Sequence, residues 1–374
     1  MKVNYDFYTG KDTYSDGDVE KDIIKYLEDY GEENYTEIFK KDIRWPVFYH
    51  ITPIRKNILK WYEFKENAEV LEIGAGMGAI TGILCDKAAH VTSVELSKQR
   101  AMAIEKRCKD KENLELIIGN FNDIKFEKKF DYITLIGVLE YAPLYTNSNN
   151  PFEDFLKTIK SLLKDDGKLL IAIENQFGMK YFSGVEEDHT NKIYDGITGY
   201  ENKKGIRTFG KNELKEILQK SGYTYNKFYY PMPDYKLPNI IFSDEYLPNE
   251  ENIKNYNPYL SNEGSETQYD EKEAYKDIIK NKQFDFFANS FFIEASQKEI
   301  NTKVDLNKQD LFKVDDVMQK FYDNHYKIKE KKDLEKQLIE ENKKLRDELN
   351  AMVNSKSWKI TKPIRDFRTK NKSK

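Results

Sequence analysis

The amino-acid sequence predicts a doubly wound α/β fold, and three observations carry that prediction. The run EVLEIGAGMGAIT, from Glu69 to Thr81, reads as an apolar strand, a glycine-spaced turn and a helix start. Strand-like and helix-like segments then alternate as far as about Glu174, the pattern of a parallel sheet covered on both faces. Two later runs rich in aromatic and apolar residues, Tyr223 to Tyr230 and Ser290 to Ala295, supply two more strands.

Residues 1–66 are expected to form a helical cap. Within DVEKDIIKYLEDY, Ile23, Ile24 and Leu27 share one face, and Thr52 before Pro53 is an N-cap and first-turn pair for a helix reaching Trp61. The segment RWPVFYHITPIR, Arg44 to Arg55, gathers aromatics, His50 and two arginines. It suits either a cover over a ligand or an aromatic hinge on the core. The first strand then leads through Glu72 to Gly74, Ala75, Gly76 and Gly78. Glycines at that spacing let the backbone turn sharply and approach a ligand, and the following helix offers unpaired N–H groups to an anionic group. Gly74, Gly76 and Ala79 also satisfy the looser dinucleotide fingerprint, so the glycines alone specify a nucleotide-type cofactor.

The second strand, HVTSVEL, ends in Glu95 and Leu96, about twenty residues beyond the glycines, where an acid can hold both ribose hydroxyls. The third, Leu114 to Ile124, ends in Asn120, Phe121, Asn122 and Asp123, which suit hydrogen bonding to and coverage of an adenine ring. The fourth, Phe130 to Tyr141, carries an acid at its entrance and Glu140 and Tyr141 at its exit. The fifth, Lys168 to Glu174, follows an Asp165-Asp166-Gly167 turn. Each ligand-facing residue also has a plain structural use. Glu72 can cap the turn, Glu95 the helix that starts near Ser97, and Asn120 can simply form a turn.

In order, spacing and placement on strands, these four blocks resemble the class I S-adenosylmethionine-dependent methyltransferases. The resemblance implies a Rossmann-like seven-stranded sheet closed by an antiparallel pair, with S-adenosyl-L-methionine as cofactor. It further implies that Gly74, Ala75, Gly76 and Gly78 line the turn against the methionine part and that Glu72 orients its ammonium. Glu95 and Leu96 then belong to the ribose, and Asn120 and Phe121 flank the adenine. That family more often has Asp where Asn120 stands. A second resemblance spans roughly residues 44 to 295. The pattern ENQFGMKYFSG…EDHT…YDGITGY, followed by RTF and YYPMPDYKLPNIIFSDEYLP, looks like bacterial methyltransferase domains associated with glycosyltransferases of capsule and O-antigen synthesis. It implies O-methylation of a saccharide or glycan precursor, with Tyr181, Phe182, Tyr194, Tyr200, Tyr229, Tyr230 and Tyr235 suited to sugar faces. The alternatives are a small metabolite or lipid acceptor, and a catalytically silent scaffold in a glycan-assembly complex.

Domain organisation follows from this frame: a cap over 1–66, the methyltransferase domain over 67–300 with insertions at about 175–207 and 231–284, and a helical segment over 301–374. The first insertion is where the acceptor is sought. Methyl transfer from a sulfonium is an in-line displacement that demands alignment and exclusion of water, and an alcohol acceptor also needs a base. His189 sits on a polar loop beside Asp188 and Glu187, either of which can orient it; Glu140 lines the site from the fourth strand. These make His189, Asp188 and Glu140 the catalytic candidates. Cys85 and Cys108 lack the spacing of a metal site and read as packed thiols, so no metal ligands are expected.

The net charge of −4 argues against general nucleic-acid binding. No run of 18 apolar residues exists and the first residues lack a signal-peptide core, which predicts a cytoplasmic protein. In KEKKDLEKQLIEENKKLRDELNAM, Leu338, Leu345 and Met352 stand seven apart, with Asn342 and Leu349 at the companion spacing: a short coiled-coil seam suited to a homo-oligomer. Residues 351–374 hold eight Lys or Arg against Asp366 alone, interleaved with Trp358, Ile360, Ile364 and Phe367. Such a tail suits peripheral contact with an anionic membrane face or a glycan-assembly protein; SWKITKPIR resembles a short C-terminal sequence of bacterial glycan-assembly glycosyltransferases.

Overall fold

The computed structural model describes residues 1–12, 17–254, 268–269, 271–303, 305 and 309–362, with only the backbone described over 324–333. Among the described residues one sheet of nine strands organises the unit Met1–Gln319. The strands are β1 (Lys2–Phe7), β2 (Glu69–Ile73), β3 (His90–Glu95), β4 (Leu114–Gly119), β5 (Phe130–Ile136), β6 (Leu163–Glu174), β7 (Tyr225–Met232), β8 (Ile240–Ser243) and β9 (Ser290–Ser296). Their order is β1-β4-β3-β2-β5-β6-β9-β7-β8. The pairings from β1 across to β6 are parallel, and those of β6 with β9, β9 with β7 and β7 with β8 are antiparallel.

Successive side chains on a strand point to opposite faces, and here both faces are buried. Leu169, Ile171 and Ile173 of β6 pack with Phe291 and Ile293 of β9 on one side, while Leu170, Ala172 and Phe292 pack on the other. This is why the strands read as near-continuous apolar runs.

The expected count of seven strands is two short. β1 falls in the segment read as wholly helical; KVNYDF is a sheet edge with no fully buried residue, so it has little apolar alternation to announce it. β8 is a four-residue strand inside the second insertion, too short to carry a period. The Asp165-Asp166-Gly167 turn is a bulge within β6, where partners pass from Phe130↔Leu163 to Tyr132↔Lys168.

Beyond β1 the N-terminal segment is helical, with helices Val19–Tyr30, Tyr35–Phe39, Trp45–Ile51 and Asn57–Lys60. Ile23, Ile24 and Leu27 are buried as their spacing predicts. The Thr52 hydroxyl accepts from the N–H of Ile54, and Pro53 starts a 3₁₀ turn, so the expected helix to Trp61 begins with that tighter form. Two arginines on helix Lys98–Arg107 fasten this segment. Arg100 pairs with buried Glu20 at 2.7 Å. Arg107, 1% exposed, pairs with Glu32 at 2.6 Å; it also donates to the carbonyl of Met77 at 2.8 Å and to that of His50.

The unit Lys320–Lys374 contains most of the 39-residue helix Asp316–Asn354. Leu338, Leu345, Leu349 and Met352 are exposed along it, and Asn342 donates to the carbonyl of Leu338 at 2.8 Å. The basic tail beyond Lys362 lies outside the described residues. Among the described residues no helix is long and apolar enough to cross a membrane.

Replacing Arg107 by Ala strands two carbonyls and half of a buried ion pair. Urea unfolding of Arg107→Ala should show a loss of about 3 kcal/mol, the lower end of what breaking such a pair costs because Lys56 still faces Glu32.

Candidate active site

A cavity of about 590 Å³ lies at the carboxyl ends of β2, β3 and β5. It sits where the chain, having built outward from β2 to β4, returns to the other side of β2, the crevice in which open α/β sheets bind ligands. Glu72, Gly74, Ala75, Gly76, Glu95, Leu96, Asn120 and Phe121 all line it, whereas Gly78 does not and packs against Ile104.

The three glycines share positive φ but differ in what surrounds them. A Cβ on Gly74 would lie 2.7 Å from Val138, and one on Gly78 would lie 2.9 Å from Ile104, so those two allow close packing of the turn. A Cβ on Gly76 would meet nothing within 4 Å and would stand in the open space of the cavity. Gly76 is therefore the position where a side chain would compete with a ligand. Its N–H donates to Glu95 at 2.6 Å, and the N–H of Ser97 donates to the other oxygen of the same carboxylate at 2.9 Å. Glu95 thus ties the end of β3 to the glycine turn and to the N-cap of the helix that follows while lining the cavity. Burial pushes its carboxyl up to about 7, against the opposing pull of Ser97, Arg100 and Gly76.

Glu72 accepts from the hydroxyls of Ser93 at 2.6 Å and Thr81 at 2.8 Å, both on Oε2, and burial raises its carboxyl above the usual range. The oxygen of Asn120 accepts from the N–H of Asn122 at 3.0 Å, so it also forms the turn that its type suggests. Phe121 packs edge-on against Phe155. From above, helix Trp45–Ile51 brings Trp45, Tyr49 and His50 to the cavity, and Arg55 follows. The Arg44–Arg55 segment is a cover, apart from Arg44, which pairs outside with Asp22 and Asp42.

The far end of the cavity is charged. Glu140, Glu174, Asp188, His189, Tyr235 and Lys236 line it. His189, read from the sequence as a polar-loop residue, has a side chain only 6% exposed. Its Nδ1 lies 3.1 Å from Glu187, its Nε2 lies 3.8 Å from Glu140, and its ring edge meets Tyr141. Burial alone would lower its pKa, but Glu140, Glu187 and Glu174 together raise it to about 11. The imidazole is thus a cation at neutral pH and cannot accept a further proton, which is at odds with the free base expected of it.

Glu187 orients His189, and Asp188 does not. The Asp188 carboxylate meets Lys180 at 2.8 Å, Tyr181 at 2.6 Å and Lys236. Lys180 and Lys236 overcome its burial and hold it well below the usual carboxylate range. Glu140 is raised by burial and by Glu174, against His189. Glu174 is lowered despite its burial, chiefly by Lys236 at 2.8 Å. Glu140 Oε2 and Glu174 Oε2 are buried without a hydrogen-bond partner.

Sequence reading missed Glu174 and Lys236 as site residues, whereas Arg55 belongs to the segment expected as a cover or a hinge; Glu174 was detectable, because it ends a parallel strand on the ligand side. Most tyrosines expected at sugar faces are elsewhere. Tyr181, Tyr200, Tyr229 and Tyr230 are buried, with hydroxyls bonded to Asp188, Glu187, Glu294 and Asp244 respectively. Of the seven named aromatics, Tyr235 lines the cavity.

Residues 47–227 match the family described as a methyltransferase domain. An uncharacterized methyltransferase of Staphylococcus carnosus is 35% identical over 130 residues, 34% of this chain and 58% of that protein. The ubiquinone biosynthesis O-methyltransferase of Pelagibacter ubique is 26% identical over 139 residues, 35% of this chain and 55% of that protein. The chain thus spans little more than half the length of these two relatives. Among solved structures, phosphoethanolamine N-methyltransferase 1 of Haemonchus contortus, determined with phosphoethanolamine and S-adenosylhomocysteine, is 14% identical; the match covers 81% of this chain and 52% of that one at a TM-score of 0.41. Residues 47–227, which carry the glycine turn and Glu95, thus form a domain that matches the methyltransferase family on a Rossmann-like sheet.

Proposed function

We propose that this protein transfers the methyl group of S-adenosylmethionine to a hydroxyl of a saccharide or glycan precursor in bacterial surface-polysaccharide synthesis. The observation that carries the reading is the continuity of one cavity, from Gly76 and Glu95 at one end to Glu140, Glu174 and His189 at the other. A cofactor seated on the glycine turn has its sulfonium between the two ends. The acceptor oxygen bonds to the methyl carbon as the carbon–sulfur bond breaks, the sulfonium becomes a neutral thioether, and the hydroxyl proton passes to the carboxylate of Glu140. Aromatic walls, Trp45, Tyr49, Tyr141 and Tyr235, combined with carboxylates, suit a polyhydroxylated ring that offers apolar faces and hydrogen-bond donors. Glu140 is the catalytic candidate that faces this acceptor; His189 and Asp188 hold its surroundings. The helix Asp316–Asn354 is the self-associating element, through Leu338, Leu345, Leu349 and Met352. The basic segment after it contacts the membrane face or glycan-assembly proteins.

Tritium-labelled methyl groups should pass from the cofactor to the glycan-precursor fraction as an alkali-stable ether. Label found instead in lipid or in small metabolites would overturn the acceptor class.

Cofactor affinity should depend on pH through Glu95. Its raised pKa means that the carboxylate forms only as pH rises through about 7, and ribose hydroxyls donate to the ionised form. Calorimetric affinity for S-adenosylhomocysteine should therefore fall as pH drops from about 8 to about 6, and Glu95→Gln should be weak and flat over the same range.

Deletion of residues 325–374 removes none of the nine strands. The truncated protein should keep its affinity for S-adenosylhomocysteine and lose mass in light scattering relative to the full chain. Attraction to anionic vesicles, about 1 kcal/mol per basic residue near the surface, should vanish with the segment and weaken with salt in the full chain.

A further inference from the structure

We infer that Glu140, Glu174 and His189 bind one divalent cation at the acceptor end of the cavity. Binding stands on the geometry of these groups, whereas its use in positioning the acceptor rests on the methyl-transfer reading above. One carboxylate oxygen from each glutamate and a ring nitrogen of His189 lie within 4.8 Å of one another. Ligands about 2.0–2.6 Å from a common ion fall within such a span.

Each glutamate keeps one oxygen without a hydrogen-bond partner. Glu174 Oε1 is engaged by Lys236 at 2.8 Å and Tyr235 at 3.2 Å, and Oε2 is left buried without a partner. Glu140 Oε2 is likewise buried and unpartnered. Both residues are 1% exposed. A buried carboxylate oxygen without a partner is costly, and a cation shared by the two carboxylates would offset that cost.

The histidine is set as a ligand. Its Nδ1 lies 3.1 Å from Glu187, which leaves Nε2 facing Glu140. Metal-bound histidines almost always donate their other ring N–H to such a carboxylate, which fixes the tautomer and the ring. Glu187 is itself held: the N–H groups of His189 and Thr190 donate to it at 2.8 Å each, and the Tyr200 hydroxyl at 3.0 Å. The supporting layer that a metal site requires is therefore in place. The ion takes the position of the Nε2 proton. Two carboxylates and one imidazole, with further positions open to the cavity, match Mn²⁺ or Mg²⁺ better than Ca²⁺, which needs six to eight oxygens. An acceptor hydroxyl would complete the coordination beside the cofactor's methyl group.

The test titrates Mn²⁺ into the full-length protein, read by the electron paramagnetic resonance of the free ion, with S-adenosylhomocysteine binding measured separately on the same samples. One Mn²⁺ per chain is expected, competed by Mg²⁺. Glu187→Gln, which removes only the support, should weaken it about 10–100-fold, and Glu174→Gln at least as much, with S-adenosylhomocysteine still bound in both. No Mn²⁺ binding at millimolar concentration by protein that binds S-adenosylhomocysteine would overturn the proposal. So would Mn²⁺ affinity unchanged in both Glu174→Gln and His189→Gln. Mn²⁺ bound at this site without S-adenosylhomocysteine binding would uphold the cation site and sink the methyltransferase reading instead.

Discussion

The guanidinium of Arg107 is the contact on which the rest of the cofactor end depends. It lies at the end of helix Lys98–Arg107, which starts three residues after Glu95, and its donors reach three separate stretches of chain. Nε holds the Met77 carbonyl in the glycine turn, one terminal nitrogen holds the His50 carbonyl in the cover helix, and the other pairs with Glu32. A planar group with donors in a fixed fork can do this where an ammonium cannot. Floor and lid of the cavity are thus referenced to one rigid element, and the aromatic cover is aligned with the turn it faces without depending on the ligand.

The acceptor end is built on the opposite principle. The floor there comes from buried charges balanced one against another: Asp188 and Asp234 with Lys180, Glu174 and Asp188 with Lys236, Glu187 and Glu140 with His189. Charges withdrawn from water gain from being paired and hydrogen-bonded in fixed geometry. The field inside this group, and not the intrinsic chemistry of imidazole, decides that His189 is protonated. The site holds polar ligands by electrostatic complementarity at one end and by backbone shape at the other.

How much of this was legible in the sequence differs by element. The glycine turn, Glu72 and Glu95 were readable because local spacing and strand ends dictate them, and the central strands because burial on both faces makes them apolar throughout. β1 and β8 were not, since an edge strand and a four-residue strand owe their existence to a neighbour in space. Asn120 kept the ambiguity it had as a residue type. His189 was found as a residue but misread in environment: EEDHT is polar as text, yet Glu140, Tyr141 and Glu187 enclose it from stretches 2 to 49 positions away. The tyrosines expected at sugar faces show the converse: the hydroxyls of Tyr181, Tyr200, Tyr229 and Tyr230 found carboxylates, and of that set Tyr235 lines the cavity.

Lys180 joins the two long insertions, meeting Asp188 in the first and Asp234 at the start of the second. An ammonium that is 0% exposed is poorly tolerated until both carboxylates have arrived. The two partners lie on separate excursions of the chain, and the second is 54 residues away, so closing the loop must precede the reward. The acceptor lobe should accordingly order late and as one cooperative piece, after the sheet has formed, so that a newly made chain acquires its nucleotide crevice before it acquires anything with which to choose a substrate.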